Sequence, residues 1–301
     1  MPRITYHFRQ FHDKSRDDIE RANHVLTEYA QQGYTLTLRQ LYYQFVARGW
    51  CENTERTYKR LGSLVSKARL AGYIDWYYLV DRTRNLRHLA HWDSPQEIIA
   101  ACAEQFRVDH WATQPKRIEV WVEKDALIDV VAKACNPLDV PYFSCRGYTS
   151  QSEMWMAAQR FIDYAQDGQE TVILHLGDHD PSGMDMSRDI HRRLNMFCGH
   201  GVRLERLALN MPQIQEHKPP PNPTKVTDSR AADYIDMYGH ECWELDALEP
   251  TLLCALVTEA IDRHKDERAF AWAESETAEG RRIIKQLADS NPSYWDSNDV
   301  Y

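Results

Sequence analysis

Apolar positions in the first third of the chain recur at helical spacing, whereas in the middle third they gather into short unbroken runs. Over 15–32, Ile19, Ala22, Val25, Leu26 and Tyr29 share one face, which predicts an amphipathic helix closed by Gly33. Over 35–48, Leu38, Leu41, Tyr42, Phe45 and Val46 fall on one stripe, so a helix capped at Thr35 or Thr37 and ended by Gly49 is expected. A third helix is predicted over 53–72, with Tyr58, Leu61, Leu64, Val65 and Ala68 inward, and a strand over 73–80. A further helix is expected around 95–106, before a short linker at Gln114-Pro115-Lys116.

The runs that follow read as buried strands. Residues 117–122 end on Glu123 and precede an apolar-periodic segment over 125–134 that suits a helix. A strand over 140–144 runs into Arg146-Gly147, and 149–153 has the composition of a helix entry. Residues 171–176 end at Gly177. Asp180 then stands as N-cap and Pro181 as first residue of a helix to about 196, with a fourth strand near 204–208. Right-handed crossovers make the strands parallel and bring Glu123, Gly147, Asp178 and Asp180 to one edge of the sheet. Carboxylates gathered there repel one another unless a cation neutralises them, and oxygen-only ligands select Mg²⁺ or Mn²⁺ over zinc. The plainer alternative is that Asp180 only caps its helix and Asp178 only binds the turn. Glu244 and Asp246 could add to the same acidic edge, but solvent-facing partners are the expectation for them. Residues 218–224 read as a stiff polyproline loop, 252–264 as a helix, and 278–288 as a final helical stretch with a polar tail.

Composition changes this picture in few places. With 301 residues, 43% of them hydrophobic, the chain can bury a large core in about two domains. No apolar run approaches the ~18 residues of a membrane span, and 1–14 is too polar for a signal peptide, so no membrane and a cytoplasmic location are expected, nucleoid-associated if the chain binds DNA. Seven cysteines without Cys-x-x-Cys argue for reduced thiols, and thirteen histidines show no zinc spacing. The net charge of −9 conceals a basic stretch: between Thr54 and His88 stand eight Lys/Arg against Glu55, Asp75 and Asp81. Arg56, Lys59, Arg60, Lys67, Arg69, Arg82 and Arg84 are its candidate DNA contacts, and a solvated charged face is the alternative. Tyr43 falls beside the apolar stripe, on the flank that carries Arg39 one turn earlier. A phenol of pKa about 10 is a poor nucleophile, and a fixed cation beside it favours the phenolate. The pattern also suits an ordinary half-exposed tyrosine with a stacked arginine.

Glu123, Gly147 and Asp178-His179-Asp180-Pro181-Ser182-Gly183 together resemble the Toprim domain, the metal-binding fold shared by topoisomerases, bacterial primases and several nucleases. With Glu244-Leu-Asp-Ala-Leu248 they are similar to the A subunit of type IIB topoisomerases (topoisomerase VI) and its meiotic relative that makes double-strand breaks. Arg39-Gln-Leu-Tyr-Tyr43 resembles that family's Arg-x-x-Tyr-Tyr motif, and the length resembles its short stand-alone Mini-A homologues. The resemblance implies an α/β chain: an N-terminal winged-helix (CAP-like) domain over 1–92 with 73–80 as the wing, a helical linker over 93–115, and a Rossmann-like Toprim domain with a mainly parallel sheet and C-terminal helices over 116–301. It implies Tyr43 as the residue that attacks double-stranded DNA, Arg39 as its support, and Glu123, Asp178 and Asp180 as ligands of Mg²⁺, or of Mn²⁺. It also implies a homodimer in which Tyr43 of one copy meets the metal site of the other and keeps a 5′-phosphotyrosyl link. The family's longer N-terminal extension and any Gly-x-x-x-x-Gly-Lys-Ser/Thr motif are missing from the sequence, so neither an ATPase B subunit nor ATP-driven strand passage is expected. A metal-dependent nuclease using water, or a non-catalytic DNA-binding module, are the alternatives.

Overall fold

Three helices, α1 (Asp13–Gln31), α2 (Leu38–Ala47) and α3 (Glu55–Leu70), pack on one another in the structure, a computed structural model that describes residues 3–80 and 89–289. Their shared core holds Ile19, Val25, Leu26 and Tyr29 of α1, Leu41, Tyr42, Tyr43 and Phe45 of α2, and Leu61, Val65 and Ala68 of α3. Of the two expected caps for α2, Thr37 serves. Its hydroxyl accepts from Gln40 N at 3.3 Å and Gln40 Oε1 accepts from Thr37 N at 2.8 Å, a reciprocal capping box. The expected strand over 73–80 is not one: its ladder is a single bridge, Leu36 to Leu79. Asp75 Oδ1 accepts from Tyr77 N at 2.9 Å, a local turn that competes with extended pairing.

After α4 (Pro95–Gln105) the chain is mixed α/β. It runs through β1 (Lys116–Val122), a 3-10 turn at Asp125–Leu127, α5 (Ile128–Cys135), β2 (Tyr142–Ser144), α6 (Gln151–Gln166), β3 (Glu170–Leu176), α7 (Pro181–Cys198) and β4 (Arg203–Ala208). Next come α8 (Met211–His217), β5 (Asn222–Pro223), α9 (Ala231–Tyr238), β6 (Glu241–Cys242), a 3-10 turn at Leu245–Ala247, α10 (Pro250–Asp262) and α11 (Glu267–Asp289). The four strands β2-β1-β3-β4 form one parallel sheet in that order, and β5 pairs antiparallel with β6.

Alternation along β1 explains the layers. Ile118, Val120 and Val122 face the core shared with α5 and α10, while Trp121 faces that of α6 and α7. Glu119 is buried on the second face because Arg160 Nε and Nη2 reach its two oxygens at 3.0 Å each. Leu174, in the middle of β3, is fully buried, so truncating it to alanine should cost ~2–5 kcal/mol. α4 packs against α11. No helix among the described residues is long and apolar enough to cross a membrane.

The two units meet along the side of α2. Gln44 Nε2 donates to Glu249 Oε1 at 2.9 Å, Asn53 Nδ2 donates to Asn222 Oδ1 at 2.7 Å, and Ala247 enters the helical core. The polyproline segment ends on β5 and supplies one wall of the junction.

Candidate active site

The carboxyl ends of β1 and β3 lie side by side, Val122 opposite Leu176. Glu123 directly follows β1, and Asp178 follows β3 after Gly177. Glu123 Oε2 accepts from Asp178 N at 2.8 Å. Asp180 caps α7, accepting from Gly183 N at 2.6 Å, with Pro181 following it. A Cβ at Gly183 would strike the Asp178 carbonyl, so only glycine lets the helix start this close to the loop. The plain capping role of Asp180 is therefore present, whereas the Asp178 carboxylate bonds not its own turn but the distant Leu245 N and Lys124.

The segment that carries Glu244 and Asp246 joins the same place. His179 and Trp243 exchange backbone hydrogen bonds at 2.8 and 2.9 Å, and Leu245 N donates to Asp178 Oδ1 at 2.8 Å. This corrects the expectation of solvent-facing side chains: Asp246 is buried and Glu244 half-buried. Between them stands Lys124, whose ammonium lies 2.8 Å from Glu244 Oε2, 2.9 Å from Asp246 Oδ1 and 3.0 Å from Asp178 Oδ1. Burial opposes its charge, but the three carboxylates, Asp246 foremost, hold its pKa well above that of a free lysine. Asp178 is pushed up to about 7 by burial, with Glu123 and Asp246 adding to the rise and Lys124 opposing it. Burial also raises Glu123, and the Asp180 charge adds to that rise. His179 is turned away: burial lowers its pKa to about 4, and Nδ1 lies 2.7 Å from the Tyr234 hydroxyl. The donors that face one another here are thus all oxygens. Among the described residues no three His, Cys, Asp or Glu side chains surround a common point closely enough to grip a metal ion.

Arg206 lies beneath the loop. Its guanidinium donates to the carbonyls of Gly177 at 3.0 Å, Asp178 at 2.5 Å and Gly183 at 3.0 Å, and to Ser187 Oγ at 2.6 Å. Burial lowers its pKa against the pull of Glu123, Asp178 and Asp180.

Tyr43 is brought to this cluster, in a state different from the expected one. It is 3% exposed instead of half-exposed, because β5 and the Glu244 segment close over the flank of α2. Asn222 Nδ2 donates to its hydroxyl at 3.4 Å. Burial, then the Glu244 carboxylate, raise its pKa, so the expected phenolate is disfavoured in this arrangement. Arg39 is shared: Nη2 and Nε each reach Glu244 at 3.2 Å, Nε lies 3.8 Å from Asp246, and the guanidinium also hydrogen-bonds Tyr43 as expected. Tyr42 is core as expected, and its hydroxyl also lies 3.0 Å from Asn53 Oδ1.

The candidate DNA contacts divide. Arg56 and Lys67 are exposed. Lys59 pairs with Glu55 at 2.7 Å and Arg60 with Asp18 at 3.0 Å. Arg69 is structural: it stacks over Trp76 at 4.3 Å and donates to the Trp76 carbonyl at 2.9 Å. Arg82 and Arg84 lie outside the described residues.

Sequence reasoning missed Lys124, Asn222 and Arg206. Lys124 follows Glu123 directly, an order that reads as a solvated pair until the Glu244 segment is placed against it. Compared with protein-family models and with curated proteins, the chain matches none.

Proposed function

We propose that this chain is a DNA-cleaving transesterase of the type IIB topoisomerase A-subunit kind, a winged-helix unit followed by a Toprim unit. The observation that carries this reading is one polar network. Tyr43, Arg39, Glu244, Lys124 and Asp178 are joined contact by contact, so a nucleophile on α2 and the carboxylates at the sheet edge share one site. Duplex DNA is drawn to the helical unit by its basic side chains, with exposed Arg56 and Lys67 as contacts. The Asn222 side must shift to uncover Tyr43.

Tyr43 Oη then attacks phosphorus while the bond to the 3′-oxygen breaks, leaving the DNA on Tyr43 through its 5′-phosphate. The phenolic proton passes to Glu244, whose pKa Lys124 and Arg39 hold low against burial. The departing 3′-oxygen takes a proton from solvent. Arg39 supplies positive charge beside the nucleophile. Glu123, Asp178 and Asp180 would have to turn toward one another to hold Mg²⁺ or Mn²⁺, which when bound would neutralise charge on the phosphate oxygens. Cutting both strands calls for two copies of the chain, so a homodimer belongs to the proposal.

The burial of Tyr43 favours one other reading, a Toprim nuclease in which water cuts and Tyr43 only packs. Incubation with end-labelled duplex DNA and Mn²⁺, quenched in SDS, separates the two. The transesterase carries label with the protein until protease is added, and Tyr43→Phe does not. Cleavage without adduct in the wild type would identify the nuclease.

A further inference from the structure

We propose that the helical unit carries a groove for an unpaired DNA strand, with exposed aromatic rings on its rim to stack the bases and cations inside it to hold the phosphates. This deepens the DNA reading, on which it rests: the substrate becomes a duplex that continues into a single strand.

The groove lies between α3 and the segment that leads into α1, with a volume of about 360 Å³. Arg9, His12, Arg60 and Lys67 line it with Ser15 and Ser63, and no carboxylate stands among its described lining residues. Arg60 is answered by buried Asp18 at 3.0 Å, so Arg9 and Lys67, both exposed, carry the charge. Its surroundings also favour an anion. Residues 3–80 hold twelve Lys/Arg against eight Asp/Glu, whereas the whole chain stands at −9.

The rim is aromatic. Phe8 is 84% exposed and Tyr6 62%, and neither belongs to the core that α1, α2 and α3 share. Tyr6 lies edge-on to Trp76, with ring centroids 5.9 Å apart, and Tyr73 edge-on to the groove residue Phe11 at 5.4 Å. Tyr6 N and His7 N donate to the Leu70 carbonyl at 2.8 and 3.0 Å, which fixes this segment to the end of α3. The fold therefore positions these rings without burying them. Along 6–9 they alternate with His7 and Arg9, so flat apolar faces and cations are interleaved. A duplex hides its base faces within its own stack and can use only the cations. An unpaired strand offers both phosphates and bases, and stacking on such rings tolerates any sequence. Arg56, Arg60, Ser63 and Lys67 recur at three- and four-residue spacing on one face of α3, which makes the groove continuous with the duplex contacts.

Fluorescence anisotropy without divalent metal compares three labelled DNAs: a blunt duplex, the same duplex tailed with thymidines, and the same duplex tailed with as many abasic sites. Wild type should bind the thymidine tail about tenfold more tightly than the abasic one, and the abasic one more tightly than the blunt duplex. Neither rim ring is core, so Tyr6→Ala/Phe8→Ala should fold, as circular dichroism checks, and should bind the two tails alike. Arg9→Ala should weaken both tails and leave the blunt duplex unchanged. Equal affinity of wild type for thymidine and abasic tails, or a preference that survives in Tyr6→Ala/Phe8→Ala, would overturn the proposal. A blunt duplex bound as tightly as the thymidine tail would overturn it while the duplex reading stands. Thymidine tails bound with no affinity for the blunt duplex would keep the groove and refute the duplex contacts. No binding to any of the three would refute both.

Discussion

Asp178→Asn should change the pH dependence of stability in a direction opposite to that of most acidic residues. Folded Asp178 keeps its proton up to about pH 7, whereas an unfolded aspartate loses it near 3.8. Between those values the native state binds the extra proton, so this residue's contribution to stability falls as pH rises. At about 1.36 kcal/mol per pH unit, a window that wide corresponds to at most about 4 kcal/mol. His175 and His179, whose pKa values burial lowers to about 3 and about 4, act the other way. Unfolding protonates them below about 6.5, and stability from them rises with pH. The wild-type profile is therefore composite, and the difference between wild type and variant is the diagnostic quantity. Asparagine keeps an oxygen for Leu245 N, and the attraction of Lys124 for the ionised Asp178 is already contained in the Asp178 shift, so it adds no separate pH dependence. Urea unfolding in the presence of a chelator, at steps from pH 4 to 8, should show wild type losing stability relative to Asp178→Asn by several kcal/mol as pH rises. A difference that stays constant within about 0.5 kcal/mol, or that grows in favour of wild type, would refute the electrostatic picture of the cluster.

Arg206→Met should destabilise the chain by ~3–5 kcal/mol, since it strips donors from the carbonyls beneath the 177–183 loop; a urea midpoint shift worth under ~1 kcal/mol would mean that water replaces it. DNA affinity should fall steeply with salt, and Arg56→Ala and Lys67→Ala should each flatten the log–log slope by about 1. Arg69→Ala should instead lower thermal stability through its lost stacking on Trp76 while leaving that slope unchanged, as filter binding and thermal melts can check. Tyr42→Phe should cost about 1 kcal/mol from its bond to Asn53 and retain adduct formation in the SDS assay.

Elements whose own residues carry the signal were legible. The amphipathic stripes of α1 to α3, the apolar runs of β1 and β3 and the Asp180-Pro181 helix start all appear where the sequence predicts them, because each depends on local periodicity or capping. The expected strand over 73–80 failed because a strand also needs a partner, and only Leu36 meets it. Tyr43 and Arg39 were placed on one flank, but the sign of the Tyr43 shift depends on what covers that flank. Its cover comes from Asn222 and Glu244, far along the chain. Glu244 and Asp246 read as surface acids because the His179–Trp243 pairing that folds them inward leaves no periodic trace. Lys124 was illegible for the same reason: its three partners lie on two distant segments.

The most direct test of the Tyr43 assignment is the position of the DNA link itself. Wild type, Tyr42→Phe and Tyr43→Phe are incubated with duplex DNA and Mn²⁺, trapped in SDS and digested with nuclease and then protease. Peptides carrying a residual nucleotide are mapped by mass spectrometry. The added mass should lie on Tyr43 in wild type and in Tyr42→Phe, and it should vanish in Tyr43→Phe. A nucleotide on any other residue, or cleaved DNA with no modified peptide in wild type, would contradict Tyr43 as the nucleophile.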